Sequence, residues 1–207
     1  MVSHILLAGG LDPTISIGGI LPSIGGNIRV GHSGTFVAEA CEYTNSFLSF
    51  FPKISLILNV DADHLDFFKD IDDIANSFHK FAALLPEDGT LIIDKDTPKY
   101  PVVVKDITCE ILTYSMKDSK ADYTASGISY DDHGCGTFTC MEKGKPLGTF
   151  SLNVPGAHNI SNALASIALG RKTGLSYEQI AEGLKSFQGT DRRFEYKGCL
   201  NGFTIID

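Results

Sequence analysis

The stretch Ile54-Ser55-Leu56-Ile57-Leu58-Asn59-Val60-Asp61-Ala62-Asp63-His64-Leu65-Asp66 decides how this chain folds. Its first half is a nearly continuous apolar run. Such runs belong to parallel strands covered on both faces, whereas strands with one wet face alternate. Its second half turns abruptly polar, with three carboxylates and an imidazole in six residues. In open α/β sheets ligands sit outside the carboxyl ends of the strands, so these side chains fall where a site is expected.

Working outward, Ile71, Ile74, Ala75, Phe78, Phe81, Ala82 and Leu85 recur at helical spacing until Pro86. Residues 90–93 (Thr-Leu-Ile-Ile) and the triplet Val102-Val103-Val104 then read as two more buried strands, and Phe36-Val37-Ala38 as one upstream. Strand, helix, strand in this order predicts right-handed βαβ units and a parallel sheet. Over 110–154 the texture changes. Apolar and polar residues alternate over 123–130, 136–141 and 147–154, separated by Asp131-Asp132-His133-Gly134 and Lys143-Gly144-Lys145-Pro146. That is an antiparallel meander solvated on one face. An Ala-rich helix is predicted over 160–169. A second, over 176–187, opens with Ser176 and Gln179 as a capping box. Val2, Ile5 and Leu6 before Gly9-Gly10 read as the end of a helix with no start signal, and 202–206 as a last strand with no turn after it. Both ends therefore look cut. The expected class is α/β: a mostly parallel sheet flanked by helices, with a small antiparallel subsheet.

Composition sets the outer bounds. The chain has 207 residues, 43% apolar and 20% charged, enough for a sizeable core. Its net charge of −8 argues against a protein built mainly to coat nucleic acid or an anionic membrane. No apolar run approaches the roughly 18 residues of a membrane span. Residues 1–7 carry neither a basic segment nor a cleavage site, so no secretory signal is expected. Five scattered cysteines without a C-x-x-C pair fit reduced thiols in a cytoplasmic protein. Cys135 and Cys140 with His133 match no zinc template.

Several residues could carry chemistry. Asp61, Asp63, Asp66 and His64 suit a divalent cation, or else form an acidic turn capping the next helix. Glu39 ends the strand at 36–38, and Glu42 follows three residues later; both could meet the same cation, or both could be surface. The run Gly26-Asn27-Ile28-Arg29-Val30-Gly31-His32-Ser33 imitates a phosphate loop but has His in place of the essential Lys, and reads as a glycine-rich turn. Asn159 and Asn162 lie at i and i+3 at a helix start, able to read a purine edge or, for Asn159, simply to cap the helix. Arg192-Arg193 could fork onto phosphate or form a surface ion pair.

In combination and order these stretches resemble the Mur ligase family. The matching segments are Ala38-Glu39-Ala40-Cys41-Glu42-Tyr43 with Ser46-Phe47-Leu48, the run 59–66, Pro155-Gly156-Ala157-His158-Asn159-Ile160-Ser161-Asn162-Ala163-Leu164-Ala165, and Phe187-Gln188-Gly189-Thr190-Asp191-Arg192-Arg193-Phe194-Glu195. The resemblance is strongest to members that join L-alanine to UDP-N-acetylmuramate. It implies that residues 1–207 are the central ATP-binding domain of a phosphate-loop type, without the N-terminal UDP-sugar domain and the C-terminal amino-acid domain. It also implies an ADP-forming amide ligation through an acyl phosphate, with ATP and Mg2+ as cofactors. Glu39 and His64 would hold the magnesium, Asn159 and Asn162 would contact ATP at its adenine end, and Arg193 would meet the nucleotide phosphates. The family's phosphate-loop lysine is not in these 207 residues, so the segment alone is expected to be inactive. A ligase joining a whole murein peptide to the same sugar nucleotide, and a non-catalytic nucleotide-binding module, are the competing expectations.

Overall fold

A computed structural model of the chain describes residues 1–191, 196–201 and 203–206. Helix α1 (Val2–Ala8) leads into β1 (Thr14–Leu21), β2 (Gly26–Arg29) and β3 (Phe36–Ala38), a small sheet in the order β2-β1-β3. Then follow β4 (Ile54–Ile57), α2 (Ile71–Ala82), β5 (Thr90–Asp94), α3 (Tyr100–Val103), β6 (Glu110–Ser115), β7 (Tyr123–Tyr130), β8 (Cys135–Glu142) and β9 (Lys145–Pro155). Helices α4 (Ala157–Lys172) and α5 (Tyr177–Ser186) precede the hairpin of β10 (Tyr196–Leu200) and β11 (Phe203–Ile206).

The main sheet has six strands in the order β4-β5-β6-β7-β8-β9. The first four are parallel in a simple register, Ile54 opposite Thr90 and Thr90 opposite Glu110. The last two return antiparallel through short turns, so the meander continues the main sheet instead of forming one of its own. Successive residues of β5 explain the layering. Leu91 and Ile93 join Phe47, Ile74 and Phe81 in a core on the α2 side. Ile92, between them, joins Ile5, Phe138, Leu164 and Ile180 in a second core under α4 and α5. Alternate side chains of one strand thus serve two cores.

Two sequence expectations needed correction. Val102-Val103-Val104 is not a strand: Lys99 takes a left-handed φ of 62°, Pro101 occupies the first turn, and the valines close the short helix α3. The strand at that place in the sheet is β6, whose mixed sequence Glu-Ile-Leu-Thr-Tyr-Ser hid it. The supposed turn at Gly26 begins with a strand, β2, paired to β1. Asp12 then anchors the following loop. Its carboxylate accepts from Arg29, from the His32 backbone at 2.8 Å and from His32 Nδ1 at 2.8 Å, which holds it well below the usual carboxylate range.

Helix α1 is held against α5 with almost no space between the backbones. A Cβ on Gly183 would stand 2.4 Å from Ile5 Cα. Nearby, His4 Nδ1 lies 2.7 Å from Ser186 Oγ and His4 Nε2 2.9 Å from Ser23 Oγ. Burial pushes the His4 imidazole down to about 4.

Two predictions follow from this packing. Gly183→Ala should destabilise the chain by about 1–3 kcal/mol through overpacking, at roughly 2–4 °C of Tm per kcal/mol. An unchanged melting temperature would contradict the close α1–α5 approach. The unfolded chain protonates His4 near 6.5 and the folded chain only near 4, so the unfolded state binds more protons between those values. Stability should therefore fall as pH drops from 6.5 to 4. His4→Gln should flatten the pH dependence of the urea midpoint, and an identical slope in that variant would refute the assignment.

Candidate active site

A groove of about 1150 Å³ opens between β3 and β4 and runs to the start of α4. Its rim collects Glu39, Glu42, Asp61, Asp63, His64, Asn159 and Asn162. Residues 95 to 123 positions apart in the chain (His64 to Asn159, Glu39 to Asn162) meet here because β3 and β4 deliver their carboxyl ends to the same side as the first turn of α4.

Glu39 follows β3 directly. Its backbone N–H donates to Ser16 O at 2.9 Å, and its Oε2 accepts from the Gly18 N–H at 2.8 Å. His64 lies in the turn after β4, at a left-handed φ of 53°. The acidic residues around it serve that turn. Asp61 Oδ1 accepts from Ala62 N at 2.8 Å, and Asp63 Oδ1 from His64 N at 2.7 Å. The capping of α2 falls to Asp70, whose Oδ1 accepts from Asp72 N and Asp73 N at 3.0 Å each. The 61–66 motif is therefore not the helix cap. Glu42 Oε1 lies 3.3 Å from His64 Nε2.

On α4 the N-cap is Gly156, and no side chain caps the helix. Asn159 instead donates from Nδ2 to Pro155 O at 2.8 Å, and Asn162 Nδ2 reaches Asn159 Oδ1 at 3.5 Å. The two amides thus form a connected pair at the groove, with Asn162 Oδ1 uncommitted among the described residues. Arg192 and Arg193 lie outside the described residues.

The sequence missed Asp94 and Ser161. Asp94 ends β5, where burial raises its carboxyl above the usual range, and Ser161 Oγ on α4 reaches it at 3.4 Å. The carboxyl-end rule that picked out His64 after β4 would have found Asp94 if applied to β5. Asn59 is also tied down, since Thr97 Oγ1 donates to it at 3.4 Å while accepting from Val60 N at 2.9 Å.

Among the described residues no three His, Cys, Asp or Glu side chains are grouped closely enough to hold a metal alone. Cys135 and Cys140 form no disulfide. One carboxylate and one imidazole do fit an ion that keeps waters and shares phosphate oxygens, as magnesium does in phosphoryl-transfer sites. No helix is long and apolar enough to cross a membrane, among the described residues.

Comparison with known proteins places this geometry. Residues 25–170 match the family model described as the Mur ligase middle domain. The chain is 56% identical over all 207 residues to a UDP-N-acetylmuramate–L-alanine ligase of Lachnospira eligens, and covers 45% of that protein. It is 49% identical, with the same coverage, to the enzyme of that name from Caldanaerobacter subterraneus. The crystal structure of the UDP-N-acetylmuramate-alanine ligase of Thermotoga maritima superposes with a TM-score of 0.83 at 27% identity, over 100% of this chain and 46% of that one. The chain thus spans about half the length of the relatives it matches. It belongs to the Mur ligase family.

Proposed function

We propose that this chain is the central, nucleotide-handling domain of an ADP-forming ligase that joins L-alanine to UDP-N-acetylmuramate. A UDP-sugar domain and an amino-acid domain would lie in the parts of the protein outside it. The observation that carries the proposal is the groove that gathers Glu39, His64, Asn159 and Asn162 on one rim. The relatives named for this activity, at up to 56% identity across the whole chain, support the choice of substrates.

In the reaction the lactyl carboxylate of UDP-N-acetylmuramate takes the γ-phosphoryl group of ATP, giving an acyl phosphate and ADP. The amine of L-alanine then attacks the acyl carbon, phosphate leaves, and the amine nitrogen loses a proton. Catalysis of such transfers is mostly positioning and charge stabilisation. Magnesium, when bound, would neutralise charge on the phosphoryl oxygens. Glu39 and His64 are the side chains proposed to hold it. Glu39 is already oriented by the Gly18 N–H and His64 by the turn hydrogen bonds of 61–68. Asn159 and Asn162 offer an amide pair for the adenine edge, and Arg193 is proposed for the phosphates. ATP and UDP-sugar chemistry, together with free thiols, favours a cytoplasmic protein.

The full-length protein should release phosphate from ATP only when UDP-N-acetylmuramate and L-alanine are both present. Release with a murein peptide but not with alanine would assign it to peptide recycling, and ATP-independent inertness would leave only a binding module. His64→Ala in the same protein should lower kcat by about 100-fold or more while leaving the melting temperature close to wild type, as loss of several kcal/mol of charge stabilisation requires. Wild-type turnover in that variant would reduce the motif to a turn.

A further inference from the structure

Glu42 meets the imidazole of His64 rather than the groove's other carboxylates, and the rest of the surroundings hold that imidazole in one pose. The His64 ring lies over the Tyr43 ring with centroids 4.7 Å apart and planes 35° from parallel. The Tyr43 hydroxyl donates to Asp66 Oδ2 at 2.7 Å, and the edge of the Tyr43 ring meets Phe67 with centroids 6.0 Å apart. The His64 backbone is equally fixed. Its N–H donates to Asp63, and its carbonyl accepts from Phe67 N and Phe68 N at 2.9 Å each.

The segment that carries Glu42 and Tyr43 is itself anchored. Thr44 and Asn45 take left-handed φ values of 55° and 60°. The Asn45 side chain accepts from Ser77 of α2, and Phe47 is buried against Phe81 with stacked rings 4.6 Å apart. Glu42 is therefore placed by the core, not by chance on a loose loop.

A neutral imidazole carries one N–H, and which nitrogen holds it follows the acceptor nearby. Glu42 Oε1 is 3.3 Å from Nε2, an ion-pair distance at which this carboxylate is the acceptor nearest that nitrogen. At the other nitrogen the carboxylate within range is Asp63, and its Oδ1 is 4.0 Å from Nδ1, too far to accept a proton bond. We propose that Glu42 is a positioning residue that holds His64 as its Nε2–H tautomer, so that Nδ1 carries the lone pair offered to the divalent cation. Carboxylates that fix a metal-binding histidine in this way raise its basicity and orient its ring. The proposal rests on the reading of His64 as a magnesium donor.

Two measurements on the full-length protein, labelled with 15N at histidine, test it. Imidazole 15N shifts at pH 8 without metal should report Nε2–H and bare Nδ1 for His64. Glu42→Ala should lose that bias, while Glu42→Gln, whose amide oxygen still accepts, should keep it. Mn2+ affinity in the presence of ATP, read by electron paramagnetic resonance, should weaken by about 10- to 100-fold in Glu42→Ala and stay near wild type in Glu42→Gln. A His64 tautomer indifferent to Glu42→Ala overturns the positioning role alone. Glu42→Gln binding Mn2+ as poorly as Glu42→Ala makes the carboxylate itself a ligand and overturns it too. His64→Ala with undiminished Mn2+ affinity removes His64 from the metal, and so overturns the underlying reading together with the proposal, whatever the tautomer.

Discussion

Everything in this domain depends on covering β5 from both sides. Leu91, Ile92 and Ile93 have no exposed surface, and each such side chain contributes about 1.5–3 kcal/mol on leaving water. One layer of helices can shield only alternate residues of a strand. The second layer is therefore obligatory, with α2 closing over Leu91 and Ile93 and α4 over Ile92. The crossovers that carry the chain between these layers keep β4, β5 and β6 parallel. Parallel strands end on one side of the sheet. The position of His64 after β4, of Asp94 at the end of β5 and of Asn159 at the start of α4 thus follows from the burial that sets these elements side by side.

The parts of this arrangement written in periodicity could be read from the sequence. The amphipathic spacing of α2, the Ser176–Gln179 capping box and the alternation of β7 to β9 are local signals, and the structure contains each element, with the cap hydrogen bonds in place. The strand at 36–38 and the carboxyl-end rule pointed to Glu39 and His64. Elements set by tertiary context were illegible. The valines of α3 have strand propensity, but Lys99 and Pro101 bend the backbone before it can extend. Strands β1 and β2 are interrupted by Gly18, Gly19, Gly25 and Gly26, so they read as turns until paired. The Glu42–His64 contact joins two loops 22 positions apart, and no spacing rule covers it.

Charge acts locally here. The chain carries −8, and four carboxylates, from Glu39, Glu42, Asp61 and Asp63, line a groove assigned to a phosphate-rich ligand. Lys53, the lysine on that lining, is paired with Asp88 at 2.5 Å. A bare polyphosphate would be repelled from such a surface, whereas a divalent ion would be attracted to it and could be shared with phosphate oxygens. The same acidity polarises its surroundings: Asp66 keeps the Tyr43 hydroxyl protonated by pushing its pKa up, so Tyr43 stays a neutral platform beside the imidazole.

The seam between α1 and α5 has a consequence for how the chain reaches its native state. Its contacts join residues about 180 positions apart, with His4 meeting Ser186 and Ile5 meeting Gly183. A seven-residue helix is too short to hold its shape alone in water. During synthesis α1 is made well before α5, the surface it docks on. Its docking waits on α4 and α5, and closure of so long a loop comes late in folding. For that interval Ile5 and Leu6, both sealed in the finished core, are exposed to whatever binds nascent hydrophobic chains.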